Sequence, residues 1–134
     1  MVQVNAYSFT GSGTIDLADR PPFDPGDPPP PITSQLVMVP SGPAPIFLGD
    51  AGLSFQMGFN QNVVTSTFTN GVEGNLYTFI LIQDNVGGHT MTWPTNSYNG
   101  GPVNLNPSAT TVQTFVCTLD GYLFAIAPAM WVTP

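Results

Sequence analysis

The chain has 134 residues, a formal net charge of −7, and one Lys or Arg against eight Asp or Glu. Charged residues make up 7% of it and apolar residues 42%, with 14 Gly and 15 Pro interrupting the pattern. A nucleic-acid binder and a basic membrane-surface helix are excluded because Arg20 is the single cation, and a disulfide scaffold because Cys117 is alone.

Val2-Gln3-Val4-Asn5-Ala6, followed by Tyr7 and Phe9, alternates and predicts a strand or extended arm. Between Pro21 and Pro31 seven of eleven residues are proline, ending in Pro28-Pro29-Pro30-Pro31. Proline lacks an N–H and fixes φ, so this stretch reads as a polyproline II spacer reaching about 30 Å. Asp16, Asp19, Asp24 and Asp27 fall within twelve residues. Their oxygens suit calcium, but the spacing is not that of an EF-hand loop, and a solvated acidic linker is the preferred reading. Residues 1–49 therefore form an extended N-terminal arm and Pro-rich linker, and residues 50–134 a β domain.

In that second part Leu53, Phe55, Met57 and Phe59 share one face of a strand, and Asn62 to Thr69 is a second strand ending at the turn Asn70-Gly71. Asn75 to Gln83 is apolar on both faces, as in the middle of a sandwich. His89, Met91 and Trp93 alternate along a fourth strand. Pro94 to Pro107 is a long loop of the kind usually functional or clamped. Thr111 to Leu119 and Tyr122 to Ile126 flank Asp120-Gly121, the signal for a type I′ hairpin. The class predicted is all-β: an antiparallel β-sandwich or barrel-like domain preceded by the Pro-rich arm.

Little here resembles catalytic chemistry. His89 is the one histidine, and a triad would need Asp84 to orient it across a turn. Cys117 lies within an apolar strand and reads as a core residue. One His and one Cys are too few for a zinc site, and no carboxylate pair stands out for glycoside hydrolysis. No enzyme activity, cofactor or metal is expected. Trp93, Tyr98, Tyr122 and Trp131 would suit a sugar-binding platform, but aromatics on alternating strands are more often core or subunit interface. The scarcity of charge favours membership of an assembly.

Read as one unit, residues 70–126 carry Gln83-Asp84, then Gly87-Gly88, then Thr90-Met91-Thr92-Trp93-Pro94. Gly100-Gly101 and the final Asp120-Gly121 turn follow. This resembles a β module of bacteriophage virion proteins, found in tail fibres and small capsid-associated proteins. Tyr98-Asn99 stands where that pattern has a second Trp before its Gly-Gly. The resemblance implies a structural, trimerising unit in which Gln83, Asp84, Gly87, Gly88, Trp93, Pro94, Tyr98, Asp120 and Gly121 serve loop or trimer packing. The chain starts at Met1 without a secretory signal and is short for a whole fibre. The expected role is thus a homotrimeric capsid decoration protein in the virion, partnered by the major capsid protein or another virion protein, with no nucleic acid and no membrane. Its capsid-binding arm would use Val2, Val4, Tyr7, Phe9 and Pro28 to Pro31. The alternative is a tail-fibre tip or head fibre for host recognition, with Trp93 or Tyr98 on the glycan.

Overall fold

The computed structural model describes residues 36–134. The expected arm contacts (Val2, Val4, Tyr7, Phe9, Pro28 to Pro31) and the acidic group Asp16 to Asp27 lie outside the described residues. Nine strands follow in chain order: β1 (Leu36–Val39), β2 (Ile46–Leu48), β3 (Ser54–Gly58), β4 (Thr67–Thr69), β5 (Leu76–Ile82), β6 (Ser97–Tyr98), β7 (Thr110–Cys117), β8 (Leu123–Ala125) and β9 (Met130–Val132).

The fold is all-β, but the expected antiparallel sandwich or barrel is wrong: the strands form a β-solenoid of about four turns. After each strand the chain does not turn back beside itself. It crosses to a second face and returns one level on, so successive strands of one face are parallel. β1, β3 and β5 stack this way, Leu36 beside Ser54 and Ser54 beside Thr78. On the second face β2 and β4 stack in parallel, Ile46 beside Thr67. β1 and β2, which precede residue 50, are the first strands of the coil among the described residues. The expected strand from Asn62 shrinks to β4, and His89 to Trp93 forms no strand, only a bridge from Met91 to Val63.

Beyond β5 the coiling gives way to reversal. β7 lies antiparallel to β5, from Leu76 opposite Val116 to Ile82 opposite Thr110. Its far edge is divided between β9, opposite Thr110–Val112, and β8, opposite Phe115–Cys117, with β6 beside β8.

The Asp120-Gly121 turn joins β7 to β8, but it is not type I′. Of the pair only Gly121 has positive φ, at 81°. Gly121 N–H donates to Thr118 O and Thr118 N–H to Tyr122 O. This is a tight turn over Leu119-Asp120 closed by a left-handed glycine, the three-residue type of hairpin loop.

Inward side chains of the two faces meet as a column of rings. Phe47, Phe55, Tyr77, Phe79 and Phe115 are all fully buried. Phe47 approaches Phe79 at 4.8 Å between centroids and Phe55 at 5.5 Å, both edge-on. Phe79 meets Phe115 at 5.4 Å, again edge-on. Such pairs add roughly 0.5–1.5 kcal/mol each beyond the area they bury. The one hydroxyl in the column is satisfied: Tyr77 Oη donates to Gly49 O at 2.8 Å and accepts from Val72 N–H at 2.9 Å.

Candidate functional site

Gln83 leaves the end of β5 pointing inward, 3% exposed. Its side chain grips the backbone of His89 from both sides: Nε2 donates to His89 O at 2.7 Å, and Oε1 accepts from His89 N–H at 3.1 Å. The five residues between are drawn into a tight loop. Asp84 Oδ1 accepts from Val86 N–H and Gly87 N–H at 3.0 and 2.9 Å. Gly87 and Gly88 both have positive φ, and a Cβ on Gly87 would lie 2.7 Å from Leu105 O and from Pro107 N. Gly88 N–H donates to Leu105 O, and Ser108 N–H to Asp84 O, so this loop holds the far end of the Pro94–Pro107 segment.

The structure does bring Asp84 and His89 together, with His89 Nε2 3.1 Å from Asp84 Oδ2. The Gly87 N–H, then the His89 ring and the Val86 N–H, hold the Asp84 carboxyl below its ordinary range against some desolvation. A carboxylate depressed in the folded state stabilises it above about pH 4, and that contribution is lost as pH falls through the folded value. Asp84→Asn should therefore lower the melting temperature at pH 6. The gap to the parent should narrow as the pH drops below about 4. Thermal melts by circular dichroism across that range test this, and a gap independent of pH would refute it.

Trp93 and Pro94 open the long segment. The Trp93 ring stands edge-on against Phe79 at 5.5 Å and Phe115 at 5.3 Å, and its Nε1–H donates to Gly101 O at 2.8 Å. Pro94 is buried beside it. Gln113, which the sequence did not single out, completes the clamp from β7. Its Oε1 accepts from Gly101 N–H at 2.9 Å and its Nε2 donates to Ala127 O at 2.9 Å, at 1% exposure. Asn96 Nδ2 ties the same segment to Phe68 O and Gly121 O. These contacts hold the shape of the segment.

What the clamped segment displays is Tyr98. On β6 its ring stacks on Phe124 of β8 at 4.8 Å and 15°, and meets Tyr122 edge-on at 5.7 Å. All three are at least 40% exposed. Of the four aromatics considered for a platform, Trp93 is committed to the interior. Trp131 stands apart on β9, its Nε1–H on Pro102 O. Tyr98 and Tyr122 come together with Phe124, which the sequence had not marked.

Cys117 is buried, and burial, with the Glu73 charge, pushes its thiol up, away from nucleophilic chemistry. Among the described residues no three or more His, Cys, Asp or Glu converge as metal ligands, and no helix is long and apolar enough to cross a membrane.

A family model described as "Putative phage tail fibre C-terminal domain" matches residues 50–122, more than half of the chain. The chain belongs to this family. Neither a curated protein nor a solved structure matches it. The tail fibre domain is thus a virion structural domain, and the family indicates no catalytic role. The match favours a fibre over the capsid decoration protein expected from the sequence, and supports what was there the alternative.

Proposed function

We propose that this tail fibre domain serves host recognition and that Tyr98, Tyr122 and Phe124 form the surface that meets a saccharide of the host envelope. The observation that carries this is the exposed aromatic trio on the short edge strand β6 and at the start of its neighbour β8, with Tyr98 stacked on Phe124 and edge-on to Tyr122. A protein burying rings for stability places them inward, as the Phe column does. Here three rings remain in water on a backbone held from below by Asn96 and Trp93. Aromatic faces suit the C–H faces of pyranose rings, and the two phenolic hydroxyls supply hydrogen bonds at the rim. A preformed platform also loses little side-chain freedom on binding.

Purified domain added to host cells should compete with phage adsorption, and Tyr98→Ala with Tyr122→Ala should weaken that competition at least tenfold. The melting temperature should move by only a few degrees, because these are surface rings. Unchanged competition by the double variant would remove the trio from the reading.

A further inference from the structure

The rings of the saccharide surface stand in surroundings of one sign. The sequence carries one Lys or Arg, Arg20, which precedes the described residues. Residues 36–134 therefore set no Lys or Arg against four acids, Asp50, Glu73, Asp84 and Asp120. Two of the four fall at the end of the sheet that bears the rings. Asp120 lies in the tight turn between β7 and β8, two residues from Tyr122, so their Cα atoms are at most about 7 Å apart. Glu73 leads into β5 on the other side of β7. There Gly74 N–H donates to Cys117 O at 2.7 Å, and the next residue, Thr118, donates its N–H to Tyr122 O at 2.9 Å. Both acids are exposed. Other polar groups beside the rings are uncharged: Ser97 and Asn99 flank Tyr98, and Thr118 Oγ1 accepts from Tyr122 N–H. The one histidine, His89, is paired with Asp84 beyond the far end of β5. Ile82 at that end lies six residues, or about 20 Å, from Leu76 in the row of Phe124.

We infer that the saccharide these rings take is one without anionic groups: neutral sugars, N-acetylated ones included, and not uronic acids or phosphorylated sugars. The inference rests on the saccharide reading and narrows it to a chemical class. Carboxylate and phosphate groups are held by Arg or Lys, whose N–H groups replace the water lost by the anion. A surface without either leaves an incoming anion partly dehydrated and unpaired. Glu73 and Asp120 add repulsion to that loss. Two carboxylates about 8 Å from a unit negative charge weaken its binding about fivefold in water of low ionic strength. Hydroxyl and acetamido groups meet no such obstacle. They exchange hydrogen bonds with phenols and amides and leave no charge without a partner. Glu73 and Asp120 thus act as specificity residues at the rim of the ring surface, by excluding competitors rather than by gripping the ligand.

The test applies the full 134-residue chain to saccharide released from host envelopes and separated by anion exchange into neutral and anionic fractions. Part of the neutral fraction is oxidised at its primary hydroxyls to uronic acids, which gives a matched anionic probe. Binding is measured with EDTA present, so that no divalent cation bridges the carboxylates. The neutral fraction should bind at least about tenfold more tightly than its oxidised form at low salt. Glu73→Gln with Asp120→Asn should narrow that gap about fivefold, and about 0.5 M salt should narrow it similarly in the parent. Binding to the neutral fraction should be lost in Tyr98→Ala with Tyr122→Ala. Anionic probes bound as tightly as the neutral fraction, and still lost in the tyrosine double variant, would overturn this inference and leave the saccharide reading intact. A gap that neither the amide variants nor salt alters would also overturn it, since shape and not charge would then discriminate. Binding that survives the tyrosine double variant, or a chain that adsorbs to host cells yet binds no fraction, would remove the saccharide reading and this inference with it.

Discussion

Phe79→Ala is expected to lower the stability of the domain by about 3–5 kcal/mol, much of what a domain of this size has in total. The ring is fully buried and touches Phe47, Phe55, Phe115 and Trp93, which come from both faces of the coil and from the clamped segment. Its removal opens a cavity between elements that cannot collapse independently, because each is fixed by its own strand pairing. Urea unfolding followed by tryptophan fluorescence is a direct probe, since Trp93 leans on the missing ring. The midpoint should fall by about 2–4 M. Leu119→Ala, at a site 79% exposed, should fall within about 0.5 kcal/mol of the parent. A shift for Phe79→Ala no larger than that of Leu119→Ala would mean the ring column does not hold the coil together.

Gln83→Leu should be the second most damaging single change, at about 2–5 kcal/mol. It keeps the volume but leaves the His89 N–H and carbonyl without their partner, and each such orphaned group costs roughly 1–3 kcal/mol. Gln83→Glu separates hydrogen bonding from packing. At neutral pH the introduced carboxylate still accepts from the His89 N–H but faces the His89 carbonyl with no proton to give. Its pKa is therefore raised in the folded state. Relative to the parent at the same pH, this variant should be most damaged above that raised value and should recover as pH falls through it. Gln83→Leu should show no such recovery. Equal pH responses of the two variants, measured by thermal melts, would refute the clamp.

How legible these features were depends on what each residue pattern encodes. The alternation of Phe55 and Met57 named the inward face of β3 correctly, because period two is a local property of an extended chain. The same period fits a sandwich and a solenoid equally, since both bury one side of each strand. What tells them apart is which strand lies alongside, and that is set by the path between strands. In this chain the path runs through β2 and β4, three residues each, too short to show a period. β2 also sits among Pro40, Pro43 and Pro45 and was read as part of the arm. β7 inverts the usual rule: Thr111 and Gln113 point inward, buried, while Val112 and Val116 point out. Polarity alone would assign its faces backwards at that end, which is why Gln113 went unnoticed. Trp93 stands beside Pro94 and reaches Gly101 O across the long segment, a partner that no local pattern encodes. Phe124 is not marked as a surface ring by the sequence, because its exposure depends on which side of the three-residue β8 turns away from the core.

The reversal at β7 has a consequence for fibre assembly. A stack of parallel strands is an open template: its last strand offers unpaired N–H and C=O groups to any segment able to add another layer. β7 occupies the free side of β5 along its whole length and runs the opposite way. The side of β7 that remains is already taken by β8 and β9, leaving only β6, two residues long, and β9, three, at the margin. Margins that short give an incoming strand little to hold. The antiparallel strand is a stopper on layer-by-layer growth at this end, so where the coil ends here is written in the sequence and not left to concentration.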